Sequence, residues 1–352
     1  MKGVAGRRGG HRRRTTWRIA LTPIVFPMAA IAAPLQGALQ PAGPQAGHIH
    51  ALWLLMLGVC ALVFVAVVAA LLVALRHAPR GDVATAADTQ ALTRDESTVR
   101  RSVGAAIAVS VALLLLLFGA TVVTDRALAQ LPLTDAVHIR LTGHQWWWEA
   151  TYDDPEPANV FATANELHVP VGRPVVLSLE ASDVIHSFWV PNLHGKKDLI
   201  PGRTATIAFR ADAPGVYRGQ CAEFCGYQHA KMALLVIAES PQQYDQWLAR
   251  SRASALPPPD ATAQRGQQVF LRSTCAMCHA VGGTPANGKH APDLTHVASR
   301  QTLAAGALRN EPAALAAWII DPQQIKPGAN MPAHALAPAD LLALVAYLGT
   351  LQ

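Results

Sequence analysis

Two short segments of this chain concentrate side chains that bind soft metal ions. The first runs from Cys221 to Met232 and holds two thiols, the imidazole of His229 and a thioether within twelve residues. These ligand types favour copper or zinc over hard cations, and methionine is not a usual zinc ligand. A mononuclear blue-copper site needs one cysteine, whereas Cys225 follows Cys221 by four positions. Because two thiolates can bridge two metal ions, the segment predicts a dinuclear copper centre.

The second imidazole of such a centre must come from another part of the chain. His186 follows a predicted strand over 175–180 and is the natural choice. Two alternatives stay open here. Cys221 and Cys225 would pair as a disulfide in an oxidising compartment, and His186 taken alone would be a structural histidine.

The second segment, Cys275-Ala-Met-Cys278-His279, has the spacing of covalent c-type haem attachment. Both thiols would form thioethers with the porphyrin, and the adjoining imidazole would bind the iron. A dithiol redox pair beside a chance histidine is the alternative. The later segment 326–332 resembles the Met-Pro ligand loop of class I cytochromes c, which implies Met331 as the sixth ligand of the iron. Met277 competes for that role, but its spacing points it away from the iron.

The two segments lie in regions whose sequence patterns predict different secondary structure. From 133 to 240 short predicted strands alternate with Pro, Gly and Asn, which favours an antiparallel sandwich or barrel. The predicted strands span 137–141, 175–180, 205–210 and 233–237. After a predicted helix over 242–252 and the stiff Pro257–Pro259 linker, the pattern becomes helical. The predicted helices of this last part, residues 260–352, span 260–271, 313–320 and 340–351.

The positive charge of the chain is concentrated at its start. The formal net charge is +6, and the first 18 residues contain seven basic side chains and no acidic one. Without them, 22 basic residues face 23 acidic ones, so composition gives no reason to expect nucleic acid as a partner. The uncharged run from Ile19 to Ala33 and the Ala-Ile-Ala site at Ala30–Ala32 complete the pattern of a secretory signal peptide over 1–33. An uncleaved first membrane helix is the alternative.

Two further apolar runs predict a transmembrane hairpin within 34–132. Residues 51–75 and 102–124 contain no charged side chain, and each exceeds the roughly 20 residues that cross a bilayer. The loop between them contains five arginines, which places it in the cytoplasm by the positive-inside rule. The signal peptide and the loop agree: the residues after 124 lie outside the cytoplasm. We therefore expect a bacterial-type inner membrane protein whose metal-binding domains face the periplasm.

The first metal segment and the residues before it resemble subunit II of cytochrome c oxidase. The motifs shared with that family are Gly143–Trp148, Asp183–Trp189, Lys196–Arg203 and Cys221–Met232. The resemblance implies an all-β cupredoxin domain, a Greek-key sandwich, over 133–240, and a mixed-valence dicopper centre, CuA. The implied copper ligands are His186, Cys221, Cys225, His229, Met232 and the main-chain carbonyl of Glu223.

Two more residues take roles from the same resemblance. The Glu223 carboxylate matches a residue that also reaches a magnesium ion at the boundary with subunit I. Trp146 matches the aromatic side chain through which external cytochrome c passes electrons, although a packing role is the alternative. The family usually has Tyr where this chain has Trp147, a departure that leaves Trp146 unchanged.

A CuA domain followed by a class I cytochrome c domain resembles subunit II of the caa-type haem–copper oxidases. This implies a chain that takes electrons from a donor cytochrome c, or an upstream reductase complex, through its haem c. The electrons then pass to CuA and to haem in subunit I, where oxygen is reduced to water and protons are pumped. Subunits I and III and the lipid bilayer are the implied partners. The chain itself has no ligand set for an oxygen-reducing site.

The same residues bear on other functional classes. A CuA-bearing subunit of a nitric oxide reductase stays open, whereas nitrous oxide reductase lacks such a membrane hairpin. A membrane-tethered electron carrier outside any oxidase is a further alternative. Quinol oxidase subunit II lacks the two cysteines and is excluded by Cys221 and Cys225. Glu96, near the start of the second span, is a candidate acid of the proton pathway, although its surroundings do not clearly match those of relatives.

Overall fold

The computed structural model describes residues 36–78, 81, 86 and 95–352. The predicted signal peptide over 1–33 and most of the predicted cytoplasmic loop lie outside the described residues. Within them the chain folds into a helical hairpin, a β domain of residues 137–239, and a helical domain of residues 261–351.

The hairpin consists of α1 (Pro44–His77) and α2 (Ser97–Leu128), which pack along each other. Both are rich in Leu, Val and Ala, and they extend beyond the predicted spans at each end. At 1.5 Å per residue each measures about 50 Å, longer than the ~30 Å hydrocarbon core of a bilayer. Large apolar side chains face outward, with Phe64 68% and Phe118 69% exposed. The helices are therefore long and apolar enough to cross a membrane.

Main-chain hydrogen bonds attach the start of α1 to the β domain. Ala42 N–H donates to the Asn192 carbonyl (2.7 Å), and Ala46 N–H donates to the Leu193 carbonyl (3.2 Å). Gly43 lies so close to Arg210 that a Cβ would come within 2.1 Å of its carbonyl oxygen. The absence of a side chain there allows the hairpin to join the β domain at a fixed place.

The β domain contains ten strands. In chain order they are β1 (Val137–His144), β2 (Trp147–Tyr152), β3 (Phe161–Ala164), β4 (Glu166–Pro170), β5 (Pro174–Ala181), β6 (His186–Phe188), β7 (Lys197–Leu199), β8 (Ala205–Arg210), β9 (Gly215–Gln220) and β10 (Ala233–Glu239). Five of them form one sheet in the order β3-β2-β1-β5-β8, and three form another in the order β4-β10-β9. Strands β6 and β7 pair separately. Two sheets around one core make this the predicted cupredoxin-type sandwich.

The core of the β domain forms from side chains that alternate along the strands. Strand β1 buries Val137, Ile139 and Leu141 and exposes His138 between them. The side chains of Trp148 and Phe209 are fully buried in the same cluster. Removal of this apolar area from water is the main force that holds the sheets together.

The sheets of the expected antiparallel sandwich are mixed, since two of their strand pairs are parallel. Strand β1 pairs with β5 in parallel, and β4 pairs with β10 in parallel. A parallel pair requires a crossover connection between its strands. Here β2, β3 and β4 intervene between β1 and β5, and β4 belongs to the opposite sheet. When the chain re-enters the first sheet as β5, it therefore runs parallel to β1.

Helix α3 (Pro241–Ser251) follows the β domain and packs against it. Ser240 caps the helix through a reciprocal capping box with Gln243. Trp247 of the helix stacks on His168, with ring centroids 4.2 Å apart, and Tyr244 is buried in the β-domain core. The predicted helix of this connection thus belongs structurally to the β domain, and the residues after it already contact the helical domain, since Ala255 N–H donates to the Gly282 carbonyl (3.0 Å).

The helical domain contains five helices and one short β ribbon. These are α4 (Ala261–Arg272), α5 (Cys275–Cys278), α6 (Pro312–Ile320), α7 (Pro322–Ile325) and α8 (Pro338–Leu348), with β11 (Thr302–Leu303) pairing β12 (Leu308–Arg309). Helices α4 and α8 cross closely, because a Cβ at Gly266 would lie 2.0 Å from the Ala343 carbonyl oxygen. Phe270 and Tyr347 fill the core between them. The three longer helices match the helices predicted from sequence.

Candidate metal and haem sites

The copper-type ligands predicted from sequence converge at one end of the β domain. Cys221 Sγ lies 3.8 Å from Cys225 Sγ and 3.9 Å from His186 Nδ1. Cys225 Sγ lies 3.5 Å from His229 Nδ1 and 3.8 Å from Met232 Sδ. The structure therefore brings two thiols, two imidazoles and a thioether around one small volume.

The loop between β9 and β10 is closed at its base by the strands that flank it. Cys221 N–H donates to the Met232 carbonyl (2.9 Å), so the first and last residues of the loop are held together. Gln220 supports the turn from below, since its Nε2 donates to the His229 carbonyl (2.8 Å). Gly226 has a φ of +109°, a conformation that favours glycine. These contacts place four ligand side chains, those of Cys221, Cys225, His229 and Met232, on the inner side of the loop.

His186 reaches the loop from β6. Ala222 N–H donates to the Ser187 carbonyl (3.0 Å), which fixes β6 beside the loop. The Asp183 Oδ1 atom lies 2.8 Å from Nε2 of the His186 ring, so Nδ1 is the ring nitrogen that faces Cys221. The close approach of β1 depends on Gly143, where a Cβ would lie 2.8 Å from the imidazole Cδ2. The ring orientation is therefore set by three elements.

The donor set is buried and its thiols are free. Cys221, Cys225, Met232 and His186 are each at most 3% exposed. The sulfur separation far exceeds the ~2.05 Å of a disulfide, and both cysteines are free. Hydrogen bonding between the two thiols lowers the pKa of Cys221 and raises that of Cys225, so Cys221 is the thiol more easily converted to the thiolate that binds metal. A buried pair of thiols with soft neighbours fits copper, so the disulfide alternative has no support in this geometry.

The main chain and the side chain of Glu223 lie in different surroundings. Its carbonyl oxygen lies 3.3 Å from Cys221 Sγ, within the ligand cluster. Its carboxylate points outward and pairs with Lys196 Nζ at 3.2 Å, where both side chains are nearly half exposed. The two predicted roles of this residue therefore fall on opposite sides of the loop.

The predicted haem ligands line one cavity of about 490 Å³ in the helical domain. Cys275, Cys278, His279 and Met331 all contribute to its wall. His279 Nδ1 lies 2.7 Å from the Pro292 carbonyl oxygen, which fixes the ring and leaves Nε2 for the iron. Burial lowers the pKa of His279, which favours the neutral imidazole that binds metal.

The competing methionine lies elsewhere. Met277 is 71% exposed and does not line the cavity. Its position on the outer side of α5 follows from the spacing within the Cys275–His279 segment, since neighbouring positions on a helix face different directions. The geometry therefore separates the two methionines clearly.

Arg300 is a site residue that the sequence analysis missed. Its guanidinium is buried and lines the same cavity, and it donates to the Asp293 carbonyl. Its Nε has no hydrogen-bond partner among the described residues. A buried cation with an unsatisfied donor fits an anion such as a haem carboxylate. In the sequence it was only one of several basic residues in a loop, and nothing local marked it.

The β domain completes the haem cavity. Gln145, Trp146, Trp147 and Asn165 form part of the lining, together with residues of the helical domain. Trp146 is only 7% exposed, and its Nε1 donates to the Cys225 carbonyl at 2.9 Å. One side chain thus touches both the haem cavity and a residue of the thiol cluster. Glu96, by contrast, is an exposed residue at the start of α2, far from these contacts in sequence.

Comparison with known proteins assigns both domains. Residues 155–239 match the family model described as cytochrome C oxidase subunit II, periplasmic domain. Residues 263–352 match the cytochrome c family model. The chain therefore contains a periplasmic domain of the subunit II type, which implies copper, fused to a cytochrome c domain, which implies haem.

Individual relatives agree with these matches. Cytochrome c oxidase subunit 2 of Alkalihalophilus pseudofirmus is 42% identical over 62% of this chain and 62% of its own length. The protein of the same name from Bacillus sp. strain PS3 is 33% identical over 63% of this chain and 66% of its own. The chain thus spans slightly less than two thirds of these curated relatives. The crystal structure of the periplasmic domain of subunit II of cytochrome oxidase from Bradyrhizobium japonicum is 30% identical, with 33% of this chain and 93% of that chain covered and a TM-score of 0.30.

Proposed function

We propose that this chain, in which a subunit II periplasmic domain precedes a cytochrome c domain, is the electron-receiving subunit of a cytochrome c oxidase. The observation that supports this most strongly is the position of Trp146. Its ring lines the haem cavity of the helical domain and also donates to Cys225 of the thiol cluster. A side chain that touches both sites provides a short covalent and hydrogen-bonded path between them.

The thiol cluster would hold a dinuclear copper centre of the CuA type. The residues that would hold the metal ions are Cys221, Cys225, His186, His229, Met232 and Glu223, the last through its main-chain carbonyl. Such a centre takes up and releases one electron. The protein contribution is a buried, pre-shaped pocket, because the Asp183–His186 contact and the closed base of the loop fix the ligands beforehand.

The helical domain would hold one covalently attached haem. Cys275 and Cys278 would form the thioether links, and His279 and Met331 would bind the iron. A His/Met ligand pair raises the reduction potential of the iron. Arg300 would neutralise a haem carboxylate inside the protein, since its guanidinium is buried beside the cavity.

In the complete enzyme the chain would connect an external donor cytochrome c, or an upstream reductase, to subunit I. The helical domain would receive the electron and the β domain would deliver it to subunit I, where oxygen reduction and proton pumping take place. The exposed Glu223 carboxylate would share a magnesium ion with subunit I. The two apolar helices would cross the bacterial inner membrane beside subunits I and III, with both metal-binding domains on the periplasmic side.

Metal analysis of the purified full-length chain tests this function. We expect two copper ions and one haem iron per chain, with an electron paramagnetic resonance spectrum of one electron shared by two copper ions. Cys225→Ser should abolish that spectrum and leave the haem spectrum intact. The matched control is Cys60→Ser, which replaces the free cysteine of α1 and should change neither signal. One copper per chain would indicate a mononuclear blue-copper site, and zinc would rule out electron transfer by this domain.

A further inference from the structure

Polar contacts around Trp146 hold the helical domain against the β domain. Ala233 N–H donates to the Ala305 carbonyl (3.0 Å), and Gln228 Nε2 donates to the Pro327 carbonyl (2.8 Å). On another side, the buried Glu166 carboxylate accepts from the main-chain N–H groups of Gln301 (2.7 Å) and Thr302 (3.2 Å). Contacts of this kind require a defined docking geometry, because each buried donor or acceptor is costly when unpaired.

Lys326 is the most unusual residue in this interface. It is 3% exposed, and its Nζ donates to the Trp146 carbonyl of the β domain at 2.7 Å. The same atom donates to the Ala304 carbonyl of the helical domain at 3.2 Å. Among the described residues its hydrogen-bond partners are two carbonyl oxygens, one from each domain, and none is a carboxylate.

Burial of an ammonium group carries a cost in free energy, so its surroundings here must compensate that cost. Burial in the interface lowers the pKa of Lys326 to about 7. Removal of an ammonium group from water is costly unless its N–H groups are bonded. Both carbonyls compensate this cost only when the two domains hold their docked positions. Separation of the domains would remove one of the two acceptors.

The segment that begins with Lys326 leads to the haem ligand. Gly328 has a φ of +86° and lies over the Trp146 ring, since a Cβ there would be 3.4 Å from the ring atom Cη2. Met331 follows three residues later and lines the cavity. The methionine-bearing segment thus contacts Trp146 at two places. Lys326 Nζ binds the Trp146 carbonyl, and Gly328 lies over the Trp146 ring.

We propose that Lys326 is a positioning residue for electron passage between the two domains. Its ammonium ties the Trp146 carbonyl to the methionine-bearing segment and so fixes the haem cavity against the Trp146 ring. The two domains then act as one rigid unit rather than as a haem domain that swings on the Pro257–Pro259 segment. This inference rests on the proposed function, because it assigns Lys326 a part in the same electron path.

The test is Lys326→Leu in the full-length chain, loaded with copper and haem. Leucine keeps an apolar stem and removes the donors without adding a new thioether near the haem. The matched control is Lys289→Leu, an exposed lysine of the same domain. Lys326→Gln, which retains an N–H donor, provides a second variant of intermediate expected effect.

Two measurements follow docking and electron passage separately. Hydrogen exchange at the Ala233, Gln301 and Thr302 amides, which donate across the interface, should accelerate at least tenfold in Lys326→Leu and not in Lys289→Leu. The rate of electron transfer from haem to copper after flash reduction should fall at least tenfold in the same variant. The absorption band of the methionine–iron bond should persist, which shows that haem ligation is unchanged.

Wild-type exchange at these amides in Lys326→Leu would overturn the proposal, as would an unchanged electron-transfer rate. Loss of the methionine–iron band would also overturn it, since Lys326 would then support the ligand segment and not the docking. Failure of the proposed function gives a different result: the unmodified chain would show no transfer between haem and copper, while the exchange comparison would still report on Lys326.

Discussion

At the scale of single residues, the haem pocket separates the roles of its two nearby methionines. Met331 lines the cavity that also contains His279, whereas Met277 lies on the surface at 71% exposure. The axial ligand chosen by the protein determines both the reduction potential and the access of external ligands to the iron. A substitution at either methionine therefore has a distinct expected outcome.

We expect Met331→Ala to lower the haem potential and to open the iron to carbon monoxide. The physical reason is that the thioether stabilises the reduced iron and occupies the position where a gas would bind. A redox titration and a carbon monoxide difference spectrum of the full-length chain check both effects. Met277→Ala is the control and should change neither. Carbon monoxide binding by the unmodified chain would contradict the assignment of Met331.

The residues that could be predicted from sequence are those whose chemistry is local. The Cys221–Met232 and Cys275–His279 segments place their ligand types within a few positions of one another, so their spacing alone indicated metal and haem. Arg300 and Lys326 could not be found in this way. Lys326 is buried between distant parts of the chain, and the Nε atom of Arg300 is buried beside the cavity. A basic residue in a loop gives no local sign of either.

At the scale of elements, the junction between α1 and the β domain is a compact set of contacts around residues 190–195. Asn192 both accepts from and donates to the segment before α1, through its side chain at Gly37 N and Gln40 O (3.0 Å each). His194 lies in the same turn. Its Nδ1 is buried and has no hydrogen-bond partner among the described residues. Burial lowers the pKa of His194 to about 4.

This junction should weaken in mild acid. Above pH ~6.5, the usual value for histidine, His194 is neutral in both states and its contribution to stability is complete. As the pH falls from about 6.5 towards 4, the unfolded chain binds a proton that the folded chain does not, and stability is lost by at most about 1.4 kcal/mol per pH unit. We expect His194→Gln to remove this contribution, so that the unfolding free energy changes less steeply with pH, by up to about 1.4 kcal/mol per pH unit.

Denaturant unfolding of the full-length chain in detergent at pH 7, 6 and 5 measures this effect. His138→Gln, which replaces an exposed histidine of β1, is the control and should leave the slope as it is. An identical pH dependence in the wild-type chain and His194→Gln would show that His194 does not remain neutral in the folded protein.

The strands were less predictable from sequence than the helices. Long apolar runs defined α1 and α2, and capping and periodicity located α3, α4, α6 and α8 to within a few residues. The strands found in advance correspond to β1, β5, β8 and β10. Strands β6 and β7 are three residues long, too short for a period-two pattern to be visible. The parallel pairing of β1 with β5 depends on a crossover between sheets, which no local pattern contains.

At the scale of the whole molecule, the helical domain covers Trp146. An external protein cannot reach a ring that is 7% exposed beneath the chain's own haem domain. In the proposed function, a donor would therefore deliver its electron to the helical domain first. Six basic and five acidic residues between 260 and 352 nearly balance, so we expect no strong electrostatic steering of that donor.

The order in which the two centres become reduced tests the central claim most directly. In rapid-mixing spectroscopy of the complete oxidase with a reduced donor cytochrome, the haem of this chain should be reduced first and its copper second. The haem absorption bands and the near-infrared copper band follow the two events separately. Reduction of copper before haem in the unmodified complex would contradict the relay from the helical domain through Trp146 to the β domain.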